Sequence, residues 1–296
     1  MKIELRHLRY FLAVADELHF GRAAERVHIA QPAISQQIQR LEAEIGTELF
    51  DRNRREVRLT AAGAALRGYA QRAIDDVEAG VEAARRAARG EIGSLTVGFL
   101  ETAASTIVPL AVQQFRSARP DVDLNLRELG VGAQIEGLQA GRLDVGIVRP
   151  PADADDLVFE RIIDEELIAA VPSRHPLAAR NRISARTVVD QPLVLLSREV
   201  VPGLYDQVLA IRQEQSGTGS IAQEATSIQA VLGLVSAELG ISVLPATVRS
   251  LSRDGVVFVS IRSPHRSPLL TARRRDNDSP LVEAFLAAAR AAADVV

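Results

Sequence analysis

The sequence predicts a mixed fold: a small helical N-terminal domain with a β-hairpin, one long helix, and a two-lobed α/β domain. Three observations predict it. Short apolar patterns of helical period fill residues 1–60, residues 61–90 form one alanine-rich run without proline, and strand-like and helix-like segments alternate over residues 91–296. At 296 residues the chain is long enough for more than one domain.

Three short helices and a hairpin account for the first segment. The first helix, "LRHLRYFLAVADE", has an apolar face formed by Leu5, Leu8, Phe11, Leu12 and Ala15. "GRAAERVHI" is a second, short helix. A third begins at Pro32, because proline is favoured in a first turn, where its missing N–H has no helical partner anyway. "ELFDRNRREVRLT" then has two short apolar edges around an arginine-rich tip, as a β-hairpin would.

The alanine-rich run predicts one long helix with Thr60 as its N-cap. Small and apolar residues recur at alternating four- and three-residue steps, the spacing of a coiled-coil seam, at Leu66, Ala70, Ala73, Val77, Gly80, Ala84 and Ala87. This stripe favours a partner helix and therefore a dimer. A solvent-exposed connecting helix is the alternative.

Beyond residue 93, apolar strands alternate with helices in two series. "SLTVGFL", "VDLNLREL" and "LDVGIV" are strands of the first series, and "LIAAVP", "PLVLLS", "IAQEAT" and "ISVLP" are strands of the second. Near-continuous apolar strands of this kind are typical of parallel sheets covered by helices. Two series of this size predict two lobes that share a cleft.

Composition excludes several classes of protein. The chain has no cysteine, which excludes disulfides and thiolate chemistry and fits a reducing cytoplasm. Its five histidines show no metal-ligand spacing. No apolar run approaches the roughly 18 residues of a membrane-spanning helix, and we expect no secretory signal in a first segment that interleaves charged with apolar residues. We therefore expect a cytoplasmic protein with no metal, no cofactor and no membrane partner.

The third helix has one apolar and one polar face. The apolar face is formed by Ile34, Ile38, Leu41 and Ile45. The side left for contact with a partner carries Gln31, Pro32, Ser35, Gln36 and Arg40. Glutamine and arginine can pair two hydrogen bonds with adenine and guanine edges in the major groove. A single exposed glutamine is ordinary helix surface, but the helix pair, the turn "VHIAQ" and the hairpin together favour DNA binding.

The hairpin "DRNRREVR" concentrates positive charge in a chain whose formal net charge is −3. Its basic residues are Arg52, Arg54, Arg55 and Arg58, against only Asp51 and Glu56. Such a cluster can neutralise DNA phosphates. Taken alone, it is equally compatible with a solvated basic hairpin.

These segments together resemble one family. "AAERVHIAQPAISQQIQRLEAEIGTELFDRNRREVRLTAAG" is similar, almost position for position, to the winged helix-turn-helix of LysR-type transcriptional regulators, and "GLVSAELGISVLP" is similar to a recurrent segment of their second lobe. The resemblance implies that Gln31, Pro32, Ser35 and Gln36 face the DNA groove and that Arg52, Arg54 and Arg55 lie on the wing. Gln36 departs from the family, which often has arginine there.

The resemblance also implies the domain plan. It comprises a winged helix-turn-helix domain over residues 1–60, a linker and dimerisation helix over 61–90, and a two-lobed α/β effector-binding domain over 91–296. Lobe I covers about 91–163 and 268–296, and lobe II about 164–267. The implied partners are double-stranded promoter DNA, a small-molecule co-inducer of unknown identity, and copies of the chain in a homodimer and homotetramer.

The ligand of a two-lobed α/β module lies between the lobes, near strand carboxyl ends and helix N-termini. Residues at such positions, some identified by similarity to relatives that bind small aromatic acids, are Thr102, Ser105, Val131, Pro202, Leu204 and Ser227. Simple N-capping by Thr102 and Ser227 is an equal alternative. Val131 and Leu204 are apolar where such relatives carry a hydroxyl and an aromatic ring. We therefore expect a small polar or anionic metabolite instead of an aromatic acid.

Other classes of protein fit less well. The chain has no GxSxG motif, no P-loop, and no GxGxxG after a strand, so the sequence favours no enzyme class. A free-standing solute-binding protein would explain the two lobes but not residues 1–90. The sequence therefore predicts a DNA-binding regulator whose promoter binding responds to a small molecule.

Overall fold

A computed structural model describes residues 3–53 and 56–295 of the chain. The chain divides into two compact units, Met1–Arg86 and Ala87–Val296. Each unit has its own buried apolar core. Within the described residues, no helix is long and apolar enough to cross a membrane.

The first unit contains three short helices, a hairpin and a long helix. They are α1 (Leu5–Glu17), α2 (Phe20–Arg26), α3 (Gln31–Ile45), β1 (Phe50–Asn53), β2 (Glu56–Leu59) and α4 (Ala61–Ala88). β1 and β2 pair antiparallel, with Phe50 opposite Leu59. The ring of Phe50 lies 5.4 Å from that of Phe11 on α1, so the hairpin is packed against the helical core. The predicted helices and hairpin are confirmed.

The apolar face of α3 is shorter than the sequence predicts. Ile34, Ile38 and Leu41 are fully buried, whereas Ile45 is 36% exposed. Ile45 is the last residue of the helix, before Gly46 turns the chain with a φ of 81°, so it lies beyond the core that the helix covers. Leu5 is exposed for the same reason at the start of α1, and α3 begins at Gln31, one residue before Pro32.

Helix α4 begins where the sequence predicts. The Oγ1 atom of Thr60 accepts a hydrogen bond of 3.0 Å from the N–H of Gly63, which confirms Thr60 as the N-cap. Gly63 lies against the backbone of Leu49, and an added Cβ would overlap the Leu49 carbonyl. A glycine is needed there because the helix passes so close to the chain entering the hairpin.

The second unit is an α/β structure. Its strands are β3 (Gly93–Phe99), β4 (Val122–Glu128), β5 (Val145–Val148), β6 (Leu157–Pro172), β7 (Arg182–Ser184), β8 (Leu193–Leu196), β9 (Ile221–Ala225), β10 (Ser242–Pro245), β11 (Val256–Arg262) and β12 (Arg266–Arg274). Its helices are α5 (Glu101–Ala104), α6 (Ile107–Ala118), α7 (Val131–Gln139), α8 (Ala185–Val189), α9 (Pro202–Glu214), α10 (Ile228–Ser236) and α11 (Pro280–Ala293).

The main sheet is mixed, not parallel as the strand pattern predicts. Its order is β4-β3-β5-β12-β6-β11-β7, and β10 also pairs with β6. β3 is parallel to β4 and β5, but β12 is antiparallel to both β5 and β6, and β10 and β11 are antiparallel to β6. The physical reason is that β6 leads from one lobe to the other, and β11 and β12 return beside it in the opposite direction.

The 16-residue strand β6 therefore belongs to both lobes. Its first part pairs with β12 as far as Glu166, and the next residue, Leu167, pairs with Pro245 of β10. One lobe is packed around β3, β5, α6 and α11, where the rings of Phe115 and Phe285 lie 5.6 Å apart. The other is packed around the last part of β6, β8, β10 and the helices α9 and α10.

Candidate functional site

The first candidate site is the outer face of α3. Gln31, Pro32, Gln36 and Arg40 are exposed, and Ser35 is half-buried. The three fully buried residues of the helix hold this face away from the core. The structure thus places all five predicted α3 residues on one accessible surface, which offers amide, hydroxyl and guanidinium groups.

The turn before α3 fixes how that surface is presented. The Nδ1 atom of His19 accepts hydrogen bonds of 3.1 and 3.2 Å from the N–H groups of Gly21 and Arg22, so a histidine caps α2. The turn between α2 and α3 passes through His28 in the left-handed region, with φ of 55°. Such a turn sets two short helices at an angle, with the N-terminus of the second one projecting.

The hairpin is only partly described. Arg52 lies in β1 with its backbone paired to Val57, and its side chain lies outside the described residues. Arg54 and Arg55, two of the predicted wing contacts, also lie outside them. Arg58 pairs with Glu56, with 2.9 Å between its Nε and Oε2, so part of the charge of the cluster is neutralised within the hairpin.

The second candidate site is a cavity of about 160 Å³ between the two lobes. It lies where β3, β4, β8 and β9 end, as expected for a ligand site in an α/β structure. One lobe contributes Leu100, Glu101, Thr102, Glu128, Leu129 and Gly130 to its wall, and the other contributes Leu196, Val200, Val201, Thr226 and Ser227. We call this cavity the cleft.

Glu101 joins the two sides of the cleft. Its Oε2 atom accepts a hydrogen bond of 2.9 Å from the N–H of Ile228, the first residue of α10. Ser227 caps the same helix by accepting from the N–H of Ala230 at 3.2 Å. Burial raises the pKa of Glu101, the bond from Ile228 opposes this shift, and the neighbouring carboxylate of Glu128 adds to it.

A buried ion pair lies beside the cleft. Arg149 is 1% exposed, and its guanidinium donates to Glu165 at 2.9 Å and to the carbonyl and hydroxyl of Ser267 at 2.8 and 2.9 Å. Its Nε donates to the Thr102 hydroxyl at 3.4 Å, and Thr247 donates to Glu165 at 2.8 Å. Burial lowers the pKa of Arg149, and Glu165 opposes that shift. The network links the cleft to the strands that connect the lobes.

The structure brings only two of the six predicted ligand residues to the cleft. Thr102 and Ser227 line the cleft from opposite lobes. Val131 and Leu204 are 3% and 4% exposed and pack inside the two lobes, because apolar side chains at the starts of α7 and α9 turn toward the cores. Ser105 ends α5 with its hydroxyl 3.5 Å from that of Ser250, and Pro202 opens α9 outside the cleft wall.

Sequence reasoning missed Glu128, Arg149 and Glu165. Glu128 closes β4 and Arg149 directly follows β5, so both stand at carboxyl ends of strands, a signal that could have identified them. Glu165 gives no such signal, since it lies inside a long strand. In the part of the chain described, no group of three or more histidine, aspartate or glutamate side chains is placed to hold a metal ion.

Comparison with known proteins identifies both units. Residues 5–64 match the family described as bacterial regulatory helix-turn-helix protein, lysR family, and residues 88–294 match the LysR substrate binding domain. The chain is 37% identical to the HTH-type transcriptional regulator AlsR of Bacillus subtilis over 285 residues, 96% of this chain and 94% of that protein. It is 36% identical to the regulator IlvR of Caulobacter vibrioides, with 96% of each chain covered.

The fold comparison agrees. Full-length CbnR in complex with its target DNA is similar with a TM-score of 0.86 at 28% identity, covering 98% of this chain and 100% of that one. CbnR without DNA is described as a LysR family transcriptional regulator and gives a TM-score of 0.84. With both units matched along nearly the whole length, the chain belongs to the LysR family of DNA-binding transcriptional regulators, whose second domain binds small-molecule effectors.

Proposed function

We propose that this regulator contacts the edges of operator bases through the exposed face of α3. The observation that carries the proposal is the exposure of Gln31, Pro32, Gln36 and Arg40, with the half-buried Ser35 among them, on a helix anchored by three buried residues. In this proposal Gln36 reads adenine and Arg40 contacts guanine or phosphate. The hairpin arginines Arg52, Arg54 and Arg55 supply further phosphate contacts. CbnR, the structural relative, is described in complex with its target DNA.

The proposal includes a dimer formed through α4, and a tetramer formed by pairing two dimers. Val77 and Val81 are 41% and 46% exposed on this helix, and between Asp75 and Arg85 every residue is exposed. Apolar side chains one turn apart on an otherwise polar helix are best covered by a second helix. A dimer of this kind would bind a pseudo-palindromic promoter site.

The effector acts through the cleft. A ligand there touches both lobes, and it changes their relative disposition only if it binds one arrangement more tightly than the other. The proposal assigns no catalysis, no metal and no cofactor to the chain apart from this small-molecule co-inducer, and it places the protein in the cytoplasm with its promoter. The relatives are named as transcriptional regulators, which supports the regulatory role.

Substitutions on α3 test the DNA interface. Arg40→Ala should weaken binding to all DNA sequences and reduce the slope of log affinity against log salt by about one unit, because one phosphate contact is lost. Gln36→Ala should weaken binding to the operator while leaving random DNA unaffected, because a base contact is lost. Fluorescence anisotropy with DNA from the region upstream of the gene measures both.

Gln113→Ala is the matched control, since Gln113 is an exposed glutamine on α6 in the second unit. It should bind DNA as the unaltered protein does. Equal salt slopes for Arg40→Ala and the unaltered protein would remove Arg40 from the interface. Failure of the unaltered protein to bind any DNA at low salt would overturn the proposed function.

A further inference from the structure

The charged groups of the cleft are both negative. Glu101 and Glu128 are the only ionisable residues in its wall. Glu128 makes no salt bridge with a cation in the described part of the chain, and Glu101 is bonded to a backbone N–H group. Two carboxylates in the wall of one small cavity repel an anion and attract a cation.

One place where an acidic ligand would bind, the N-terminus of α10, is already occupied. In a two-lobed domain, the free N–H groups of a helix N-terminus are the natural partners of a ligand carboxylate. At α10 these groups are taken by Glu101 and Ser227 of the protein itself. A second carboxylate would have to displace Glu101 or lie beside it.

The buried cation beside the cleft, Arg149, is also already paired. The guanidinium of Arg149 donates to Glu165, to both oxygens of Ser267 and to the Thr102 hydroxyl. Its charge is neutralised by Glu165, so Arg149 is not available to bind an anion in the cleft. Thr102 is 2% exposed, lines the cleft and accepts only one long hydrogen bond.

We propose that the effector of this regulator is a small metabolite with a protonated nitrogen, an ammonium or a guanidinium, that binds between Glu101 and Glu128. The inference rests on the cleft being the effector site of the proposed function. It replaces the polar or anionic metabolite expected from the sequence with a cationic one. The volume of about 160 Å³ suits a small metabolite and not an extended ligand.

A larger hollow of about 310 Å³ is a poorer effector site. It is lined by Pro172, His175, Gln191 and Glu238, among others, all from lobe II. A ligand bound to one lobe alone makes no differential contact with two arrangements of the lobes, so it could not shift their equilibrium.

Calorimetric titration of the full chain tests the inference with compounds matched in skeleton and opposite in charge. The pairs are 1,4-diaminobutane with succinate, and benzylamine with benzoate. We expect at least one amine to bind and both carboxylates to fail. Glu101→Gln, which keeps an acceptor for Ile228, should weaken amine binding by about tenfold or more, since a hydrogen bond to a charged group is lost.

Glu128→Gln leaves the contact with α10 untouched and should weaken amine binding about threefold, as for a more exposed ion pair. Glu136→Gln is the control, because Glu136 is an exposed carboxylate on α7 outside the cleft, and it should leave binding unchanged. Binding of the carboxylates, or of neither class, overturns the inference. DNA binding is measured separately, so a cationic ligand can be refuted while the regulator assignment stands.

Discussion

At the scale of single residues, Arg149 is the most deeply buried charged side chain in the described part of the effector domain. It is a full charge buried among strands, and four partners from three parts of the chain satisfy its donors. Transfer of a guanidinium from water is costly unless it is paired and fully hydrogen-bonded. The network therefore holds Thr102, Glu165 and Ser267 in fixed relative positions beside the cleft.

Removing this cation should destabilise the effector domain. Arg149→Met is expected to lower the free energy of unfolding by about 3–5 kcal/mol, because it leaves the buried Glu165 without its partner. Urea denaturation followed by circular dichroism measures the change. The double variant Arg149→Met, Glu165→Met should lose less, since no unpaired charge remains.

The surface pair of Arg198 and Asp206, 2.8 Å apart and solvent-exposed, provides the control. Arg198→Met should leave the unfolding transition almost unchanged, because exposed ion pairs add little to stability. A similar small effect for Arg149→Met would show that the buried network is not needed to hold the lobes together.

The residues that sequence reasoning placed correctly are those governed by local periodicity. Ile34, Ile38 and Leu41 follow from helical spacing, and Thr60 follows from capping chemistry. The contact of Glu101 with Ile228 joins positions 127 residues apart, and that of Arg149 with Ser267 joins positions 118 apart. No local pattern encodes such pairs, because they are fixed only when the two lobes come together.

At the scale of elements, α4 is unusual because so few of its residues are buried. Of its 28 residues only Gly63, Ala70 and Ile74 are buried, all in the first half. The seam predicted from the sequence includes Val77, which is exposed, but its earlier residue Ala70 is buried in the core of its own unit, so the first half of the seam does not face a partner. Tyr69 is 69% exposed, with the guanidinium of Arg72 4.5 Å from its ring centre.

Charge placed on this seam at Val77, and one turn further along the helix at Val81, should separate the dimer. Val77→Glu combined with Val81→Glu is expected to convert the dimer into a monomer, because two carboxylates would face their counterparts on the partner helix. Analytical ultracentrifugation measures the mass directly. Ala79→Glu, on another side of the same exposed turn, should stay dimeric. A dimer that survived the double substitution would place the interface elsewhere.

Strands were predicted less completely than helices. The sequence segment "LIAAVP" covers only the last part of β6, which starts ten residues earlier at Leu157. That earlier part carries charged residues such as Glu160 and Arg161, so it lacks the apolar run that marks a buried strand. Pairing with β12 keeps it extended, and pairing between distant strands is not visible in a local pattern.

At the scale of the whole effector domain, Gly203 marks a close approach between the two lobes. A Cβ on Gly203 would overlap the carbonyl of Pro150 and contact the ring of Pro151. Pro150 follows β5 in one lobe, and Gly203 lies in the first turn of α9 in the other. The absence of a side chain is what lets α9 approach that loop.

Gly203→Ala should therefore destabilise the domain by about 1–3 kcal/mol or more, as for an overpacked core. Gly132→Ala is a matched control, since Gly132 is the second residue of α7 just as Gly203 is of α9, and an added Cβ there meets nothing within 4 Å. Replacing that helical glycine should raise stability slightly. Thermal unfolding compares the two, and equal melting temperatures would contradict the tight approach.

The way β6 passes between the lobes has a mechanical consequence. Glu166 is paired in one lobe and Leu167 in the other, so no unpaired residue on this strand separates the two ladders. A free loop at that point would let the lobes swing independently at little energetic cost. Here β6 stays hydrogen-bonded without a gap where it passes from one lobe to the other. The lobes can therefore turn relative to each other only by changing the twist of the sheet. An effector that turned one lobe against the other would therefore have part of its binding free energy offset by the change in sheet twist.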